Sequence, residues 1–147
     1  MRILIADDDA LSRRALVETV AELGHEVIEA TNGAEALKIL DDPSAGIQMA
    51  MLDWTMPHVD GPQVCAHIRA RGGDDYTYLI LVSARSKPQY VVEGLESGAD
   101  DYITKPIQPL EVLARVRSAE RVLGYHSRPA TRTPTPAASR RRAPPPR

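Results

Sequence analysis

Five short runs of apolar residues recur along residues 1–124, and each leads into a segment whose apolar positions fall three or four apart. The first run, Ile3-Leu4-Ile5-Ala6, stops at Asp7-Asp8-Asp9. Leu16, Val20 and Leu23 then mark one helical face, with Asp9 as its N-cap and Gly24 as its stop. His25 to Ala30 alternates between apolar and polar residues, as a half-buried strand near a sheet edge does. Asn32 and Glu35 have capping-box spacing ahead of Ala36, Leu37 and Leu40. A third run, Ile47 to Leu52, closes on Asp53, and Asp60-Gly61-Pro62 opens a third helix because proline suits a helix's first turn. Leu79-Ile80-Leu81-Val82 is apolar throughout and ends at Ser83, which predicts a strand buried on both faces. A fourth helix is expected over about 88–97, halted by Gly98. A fifth strand follows at Tyr102-Ile103-Thr104, and a fifth helix over about 109–123.

Strict alternation of strand and helix with short connections predicts a parallel sheet covered by helices on both faces. Five strands in a segment of this size point to an α/β, flavodoxin-like, doubly wound (βα)5 fold with strand order 2-1-3-4-5. Ligands of such sheets bind beyond the carboxyl ends of the strands. Asp7, Asp8 and Asp9 follow strand 1, Asp53 follows strand 3, Ser83 strand 4 and Lys105 strand 5. The topology therefore gathers them on one rim.

Charge divides the 147 residues into two parts. Arg128, Arg132, Arg140, Arg141, Arg142 and Arg147 lie in the last 22 residues, which contain no acidic side chain and half of the 12 prolines. Removing those six from the 18 basic residues leaves 12 against 20 acidic ones, so the body carries −8 and the tail +6. The tail has too few large apolar side chains to offset the entropy of ordering. The expected boundaries are thus a domain over 1–124 and a disordered Pro/Arg-rich basic tail or linker over 125–147. No apolar run approaches the roughly 18 residues of a membrane span, and Met1 to Asp9 lacks the pattern of a signal peptide, so a cytoplasmic placement is expected. The single cysteine, Cys65, forms no intrachain disulfide and is read as a small apolar helix residue. His25, His58, His67 and His126 show no ligand pairing and are assigned no role.

Crowding acidic groups on one rim has a physical cost. Two carboxylates about 4 Å apart repel by about 4 kcal/mol at an effective dielectric of about 20. Asp7, Asp8 and Asp53 must therefore be protonated, paired or bound to a cation, and carboxylate oxygens with waters are what Mg²⁺ prefers. Lys105 offsets part of the charge and offers a cation to phosphoryl oxygens, while Ser83 offers a hydroxyl donor. A nucleophilic carboxylate, an acidic metal site, a hydroxyl and a lysine together suit phosphoryl transfer, whose catalysis is mainly positioning and charge neutralisation.

Four segments carry a resemblance: Ile3-Leu4-Ile5-Ala6-Asp7-Asp8-Asp9, Met51-Leu52-Asp53-Trp54-Thr55-Met56-Pro57, Val82-Ser83-Ala84, and Gly98-Ala99-Asp100-Asp101-Tyr102-Ile103-Thr104-Lys105-Pro106. In this order the chain resembles CheY-like response-regulator receiver domains over about residues 1–124. The resemblance implies a signalling switch, not an enzyme acting on an external substrate. It catalyses only its own phosphoryl transfer and dephosphorylation. Asp53 would accept the phosphoryl group from the phosphohistidine of a sensor histidine kinase or a phosphotransfer protein. Asp8, Asp53 and the Thr55 main-chain carbonyl would bind Mg²⁺, with Asp7 acting through water. Ser83 and Lys105 would hold the phosphoryl oxygens, and Tyr102 would be the aromatic switch that follows Ser83. The Lys105-Pro106 bond is expected to be cis.

Family members also pair through the face of helix 4, strand 5 and helix 5, which implies a homodimer here. Asp100, Asp101, Glu111, Arg115 and Arg117 offer complementary charges, although Val91 stands where a basic partner for Glu111 is often found. Thr55 and Arg85 occupy the family positions that flank the approach of hydrolytic water, and Arg85 is expected to hinder it.

Other readings explain less. A flavin-binding flavodoxin shares the sheet order but needs a neutral phosphate loop where three aspartates stand. A haloacid-dehalogenase-type phosphatase needs a second aspartate where Thr55 stands. A pseudo-receiver, a binding module that is never phosphorylated, stays open as the alternative. Nucleic-acid binding is at most a weak, secondary property of the basic tail, because the folded body is acidic. Trp54 is read as a packing or partner-contact residue.

Overall fold

Side chains that alternate along a strand must be buried twice when helices cover both faces of a sheet, and the computed structural model, described over residues 1–124, is built in this way. The expected tail, residues 125–147, lies outside the described residues. The elements follow as β1 (Arg2–Ala6), α1 (Ala10–Ala21), β2 (Glu26–Ala30), α2 (Gly33–Leu40), β3 (Met49–Asp53), α3 (Gly61–Arg71), β4 (Tyr78–Ser83), α4 (Pro88–Glu96), β5 (Asp101–Thr104) and α5 (Pro109–Leu123). The five strands are parallel, in the order β2-β1-β3-β4-β5 that the alternation predicts.

Ile3, Ile5, Met49, Met51, Ile80, Val82 and Ile103 share one buried cluster with Leu16 and Val20 of α1 and Val112, Val116 and Ala119 of α5. Their strand neighbours Leu4, Leu52, Leu79 and Leu81 form a second cluster with Ala36 and Leu40 of α2 and Val64, Cys65 and Ile68 of α3. Tyr90 and Val91 of α4 pack against that second cluster. All of β3 and β4 is buried, which the unbroken apolar run before Ser83 anticipates.

Several boundaries differ from the sequence reading, each for a local reason. β3 begins at Met49, not Ile47, because a short 3-10 turn at Pro43–Ala45 and Gly46 (φ 63) still redirect the chain there. α1 closes at Ala21, with Leu23 and Gly24 in hydrogen-bonded turns behind it and Gly24 in the left-handed region (φ 84). Asn32 caps α2 through the Glu35 N–H, yet the Glu35 carboxylate accepts from the N–H of Thr31 in place of Asn32. The complete capping box stands at α3, where Asp60 and Gln63 exchange bonds of 2.9 Å. His25 lies outside β2 and is buried.

Candidate functional site

Register brings the site together. Ala6 of β1 is level with Leu52 of β3, so Asp7 leaves its strand beside Asp53; Asp53 is level with Val82, and Ser83 with Thr104. Asp7, Asp8, Asp53, Ser83 and Lys105 therefore share the carboxyl-end rim, as the sequence reading places them. One oxygen each from Asp7, Asp8 and Asp53 lies within 4.8 Å of the others. Oxygens around an octahedral Mg²⁺ at about 2.1 Å stand roughly 3–4 Å apart, so the three carboxylates fit such a cation with little movement.

The surroundings of the three differ. Asp7 is fully buried and accepts from the Asp9 N–H (2.9 Å), while Asp8 is exposed. Asp9 caps α1 through the Ser12 N–H, its expected structural task. Lys105 Nζ sits 3.2 Å from both Asp7 Oδ2 and Asp53 Oδ1. The Lys105-Pro106 bond is cis.

Asp53 is only 8% exposed, and burial, followed by the nearby Asp7 charge, pushes its carboxyl up to about 6 against the opposing pull of Lys105. Burial would lower the Lys105 ammonium, but the charges of Asp53 and Asp7 outweigh it and hold the group above its ordinary value. One lysine between two buried carboxylates stays charged. It does not fully compensate them.

Ser83 is buried, and its Oγ accepts from the Arg85 N–H at 2.9 Å, which leaves its own proton free to be donated elsewhere. Tyr102 is buried too, and its hydroxyl donates to the Arg85 carbonyl at 2.6 Å. Thr55 is exposed on the loop after β3. Trp54 is buried and meets the rings of Tyr90 and Tyr102 edge-on at 6.2 Å, in keeping with its reading as a packing residue.

The side chain of Arg85 takes a place that its position in the sequence does not specify. Its guanidinium lies over the rings of Trp54 (5.3 Å) and Tyr90 (5.1 Å), and it forms no ion pair with Asp53. An adjacent pair of aromatics attracts a cation more than open solvent does, but these rings come from the segment after β3 and from α4, and no local pattern announces the contact.

Asp100 also differs from its reading as a charge on an exposed pairing face. It binds Arg69 (2.7 Å), the Leu79 N–H (2.9 Å) and the Tyr76 hydroxyl, tying α3 to the start of β4. Asp101 and Glu111 each approach Arg115 at 3.4 Å within the chain. Nor are the histidines all idle: His25 Nε2 lies 2.6 Å from Glu120 of α5, and His67 pairs with Asp41 at the surface. His126 lies outside the described residues. Burial pushes the Cys65 thiol up to about 12, which keeps it an inert core residue.

Comparison with known proteins adds the relationship. Residues 3–117 match the family model "Response regulator receiver domain". The transcriptional regulatory protein AfsQ1 of Streptomyces coelicolor is 41% identical over 119 residues, covering 81% of this chain and 50% of AfsQ1. Response regulator MprA of Mycobacterium leprae is 42% identical over 120 residues, with 80% and 50% coverage. The chain thus spans about half the length of these curated relatives. Among solved structures, the receiver domain of the Francisella response regulator 1452 is similar at a TM-score of 0.74 and 30% identity, over 82% of this chain and 97% of that one. A chain of the CheX-CheY-BeF3-Mg+2 complex from Borrelia burgdorferi is similar at a TM-score of 0.73 and 32% identity, over 80% and 87%.

Proposed function

The chain belongs to the response regulator receiver domains of two-component systems, and from that premise we propose that Asp53 accepts a phosphoryl group from a phosphohistidine. The donor belongs to a sensor histidine kinase or a phosphotransfer protein, the partners with which receiver domains work. One Asp53 oxygen attacks phosphorus in line with the P–N bond. An O–P bond forms as P–N breaks, and the imidazole nitrogen keeps the electron pair. With its carboxyl at about 6, Asp53 is mainly ionised at neutral pH and available as the nucleophile.

Lys105, already bonded to the Asp53 oxygen, meets the charge that arrives on the phosphoryl oxygens. Ser83 donates its hydroxyl to another of those oxygens. Asp8, Asp53 and the Thr55 main-chain carbonyl would hold Mg²⁺, with Asp7 behind them through water. When bound, the cation neutralises phosphoryl charge and lessens the repulsion among the three carboxylates. Tyr102, bonded to the loop that follows Ser83, relays the change to the face of α4, β5 and α5, where a second copy or an output partner is received. Residues 1–124 form the receiver and residues 125–147 a tail or linker.

The single observation that carries this reading is the convergence of Asp7, Asp8, Asp53 and Lys105 on one rim. A haloacid-type hydrolase would need a second aspartate where Thr55 stands, and a flavin binder a neutral phosphate loop where Asp7-Asp8-Asp9 stand; no observation favours a pseudo-receiver. Intact mass after incubation with acetyl phosphate and Mg²⁺ should show one added, hydroxylamine-labile phosphoryl group, lost in Asp53→Ala. Undiminished labelling of that variant would reject the assignment.

A further inference from the structure

The loop between β4 and α4 passes through one residue that touches every moving part of the proposed switch. Arg85 donates its backbone N–H to Ser83 Oγ (2.9 Å) and accepts the Tyr102 hydroxyl on its carbonyl (2.6 Å). A single residue's two peptide groups therefore link the hydroxyl at the phosphoryl site to the ring on β5. Neither bond fixes the loop by itself, because residues 84–89 are exposed and Lys87, at the N-cap of α4, makes no side-chain capping bond.

The Arg85 side chain supplies an anchor. Its guanidinium covers Trp54 at 5.3 Å and Tyr90 at 5.1 Å. Those two rings stand edge to face, 6.2 Å apart at 85°, and Trp54 meets Tyr102 at the same separation. Trp54 directly follows Asp53, and Tyr90 lies in the first turn of α4. The cation thus bridges the segment after the acceptor aspartate and the helix that follows Ser83.

We propose that Arg85 is a positioning residue of the switch: its guanidinium, held on Trp54 and Tyr90, keeps the β4–α4 loop where its own backbone orients Ser83 and retains Tyr102 in its buried position. The inference rests on the phosphoryl-acceptor reading for its functional consequence, but not for its structural content. A cation on two aromatic faces contributes modestly at a partly exposed site, so its loss should shift a poised equilibrium without unfolding the domain. Because Arg85 acts through Ser83 and Tyr102, it should alter occupancy of the phosphoryl site more than it alters the metal.

The test uses the full chain and three proteins: wild type, Arg85→Met, which keeps an unbranched apolar stem and removes the charge, and Arg85→Lys, which keeps a cation. Beryllofluoride with Mg²⁺ is titrated as the phosphoryl mimic, and acrylamide quenching of Trp54, the sole tryptophan, is measured before and after. Arg85→Met should bind beryllofluoride about 3- to 10-fold more weakly and expose Trp54 to quencher in the untreated state, while Arg85→Lys recovers most of both. Equal affinity and equal quenching in Arg85→Met would overturn the proposal, and so would an Arg85→Lys variant as impaired as Arg85→Met. Should wild type itself take up no beryllofluoride, the acceptor reading fails, and quenching of the untreated proteins still decides the role of Arg85.

Discussion

The two ends of this sheet handle buried charge in opposite ways. At the carboxyl-end rim, Asp7, Asp8 and Asp53 crowd around one lysine, and burial together with Asp7 drives Asp53 up to about 6. At the opposite end, acidic groups have close partners. Glu120 meets His25 at 2.6 Å, and Asp100 gathers Arg69, Tyr76 and the Leu79 N–H. A fold that pairs its charges so well at one end has no general difficulty in doing so. The imbalance at the rim is therefore maintained against stability, which suits the cation and the phosphoryl group that the proposed function assigns to it.

The largest expected effect breaks the paired end. Glu120→Ala strips buried His25 of its carboxylate and detaches the last turns of α5 from the start of β2. Losing a hydrogen bond to a carboxylate together with the buried volume of a glutamate side chain costs about 3 kcal/mol. Urea unfolding should show a loss of about 3 kcal/mol, whereas acetyl phosphate should still label Asp53 in the folded fraction. A loss of labelling at unchanged stability would invert the contrast between the two ends.

Legibility in the sequence follows the same division. Strand-end positions such as Asp53, Ser83 and Lys105 could be placed because periodicity locates the strands and topology then aligns their ends. α5 runs from Pro109 to Leu123 as its proline and glycine punctuation indicate. His25 and Glu120 are 95 residues apart, and neither carries a local signal of the other. Asp100 looked like a surface charge because its partner Arg69 lies 31 positions away on α3. The Asp60-Gln63 capping box has the readable three-residue spacing, although Pro62 is the stronger local mark of the same helix start. Side-chain direction accounts for Arg85: an exposed arginine after a strand has many places to go, and only the packed positions of Trp54 and Tyr90 select one.

A second prediction sharpens the rim. The folded-state pKa of Asp53 is raised from 3.8 to about 6, so the native state binds the extra proton between those values. Its unfavourable contribution is complete above pH 6 and disappears as pH falls through 6 toward 4. In EDTA, Asp53→Asn should exceed wild type in stability by about 2–3 kcal/mol at pH 7.5, from the usual 1.4 kcal/mol per unit. That advantage should shrink to about a third near pH 4.5 and vanish below pH 3.8. A constant gap across this range would mean that Asp53 is not strained by ionisation.

The smallest effect tests whether the remaining imbalance is for a cation. Asp8 is the exposed member of the acidic group, so removing it disturbs the packing little while taking away one of three oxygens close enough to share an ion. A ligand that binds only the folded state stabilises by mass action, about 1.4 kcal/mol at ten times its dissociation constant. For a domain of this size that is a rise of roughly 3–6 °C in melting temperature. Mg²⁺ should raise the wild-type midpoint by that amount, and Asp8→Ala should lose most of the rise. Screening by added salt is a competing explanation, and it is separated by adding NaCl at matched ionic strength. An Asp8→Ala protein that still gains the full increment from Mg²⁺, beyond the NaCl control, would place the cation elsewhere and leave the crowded carboxylates without this explanation.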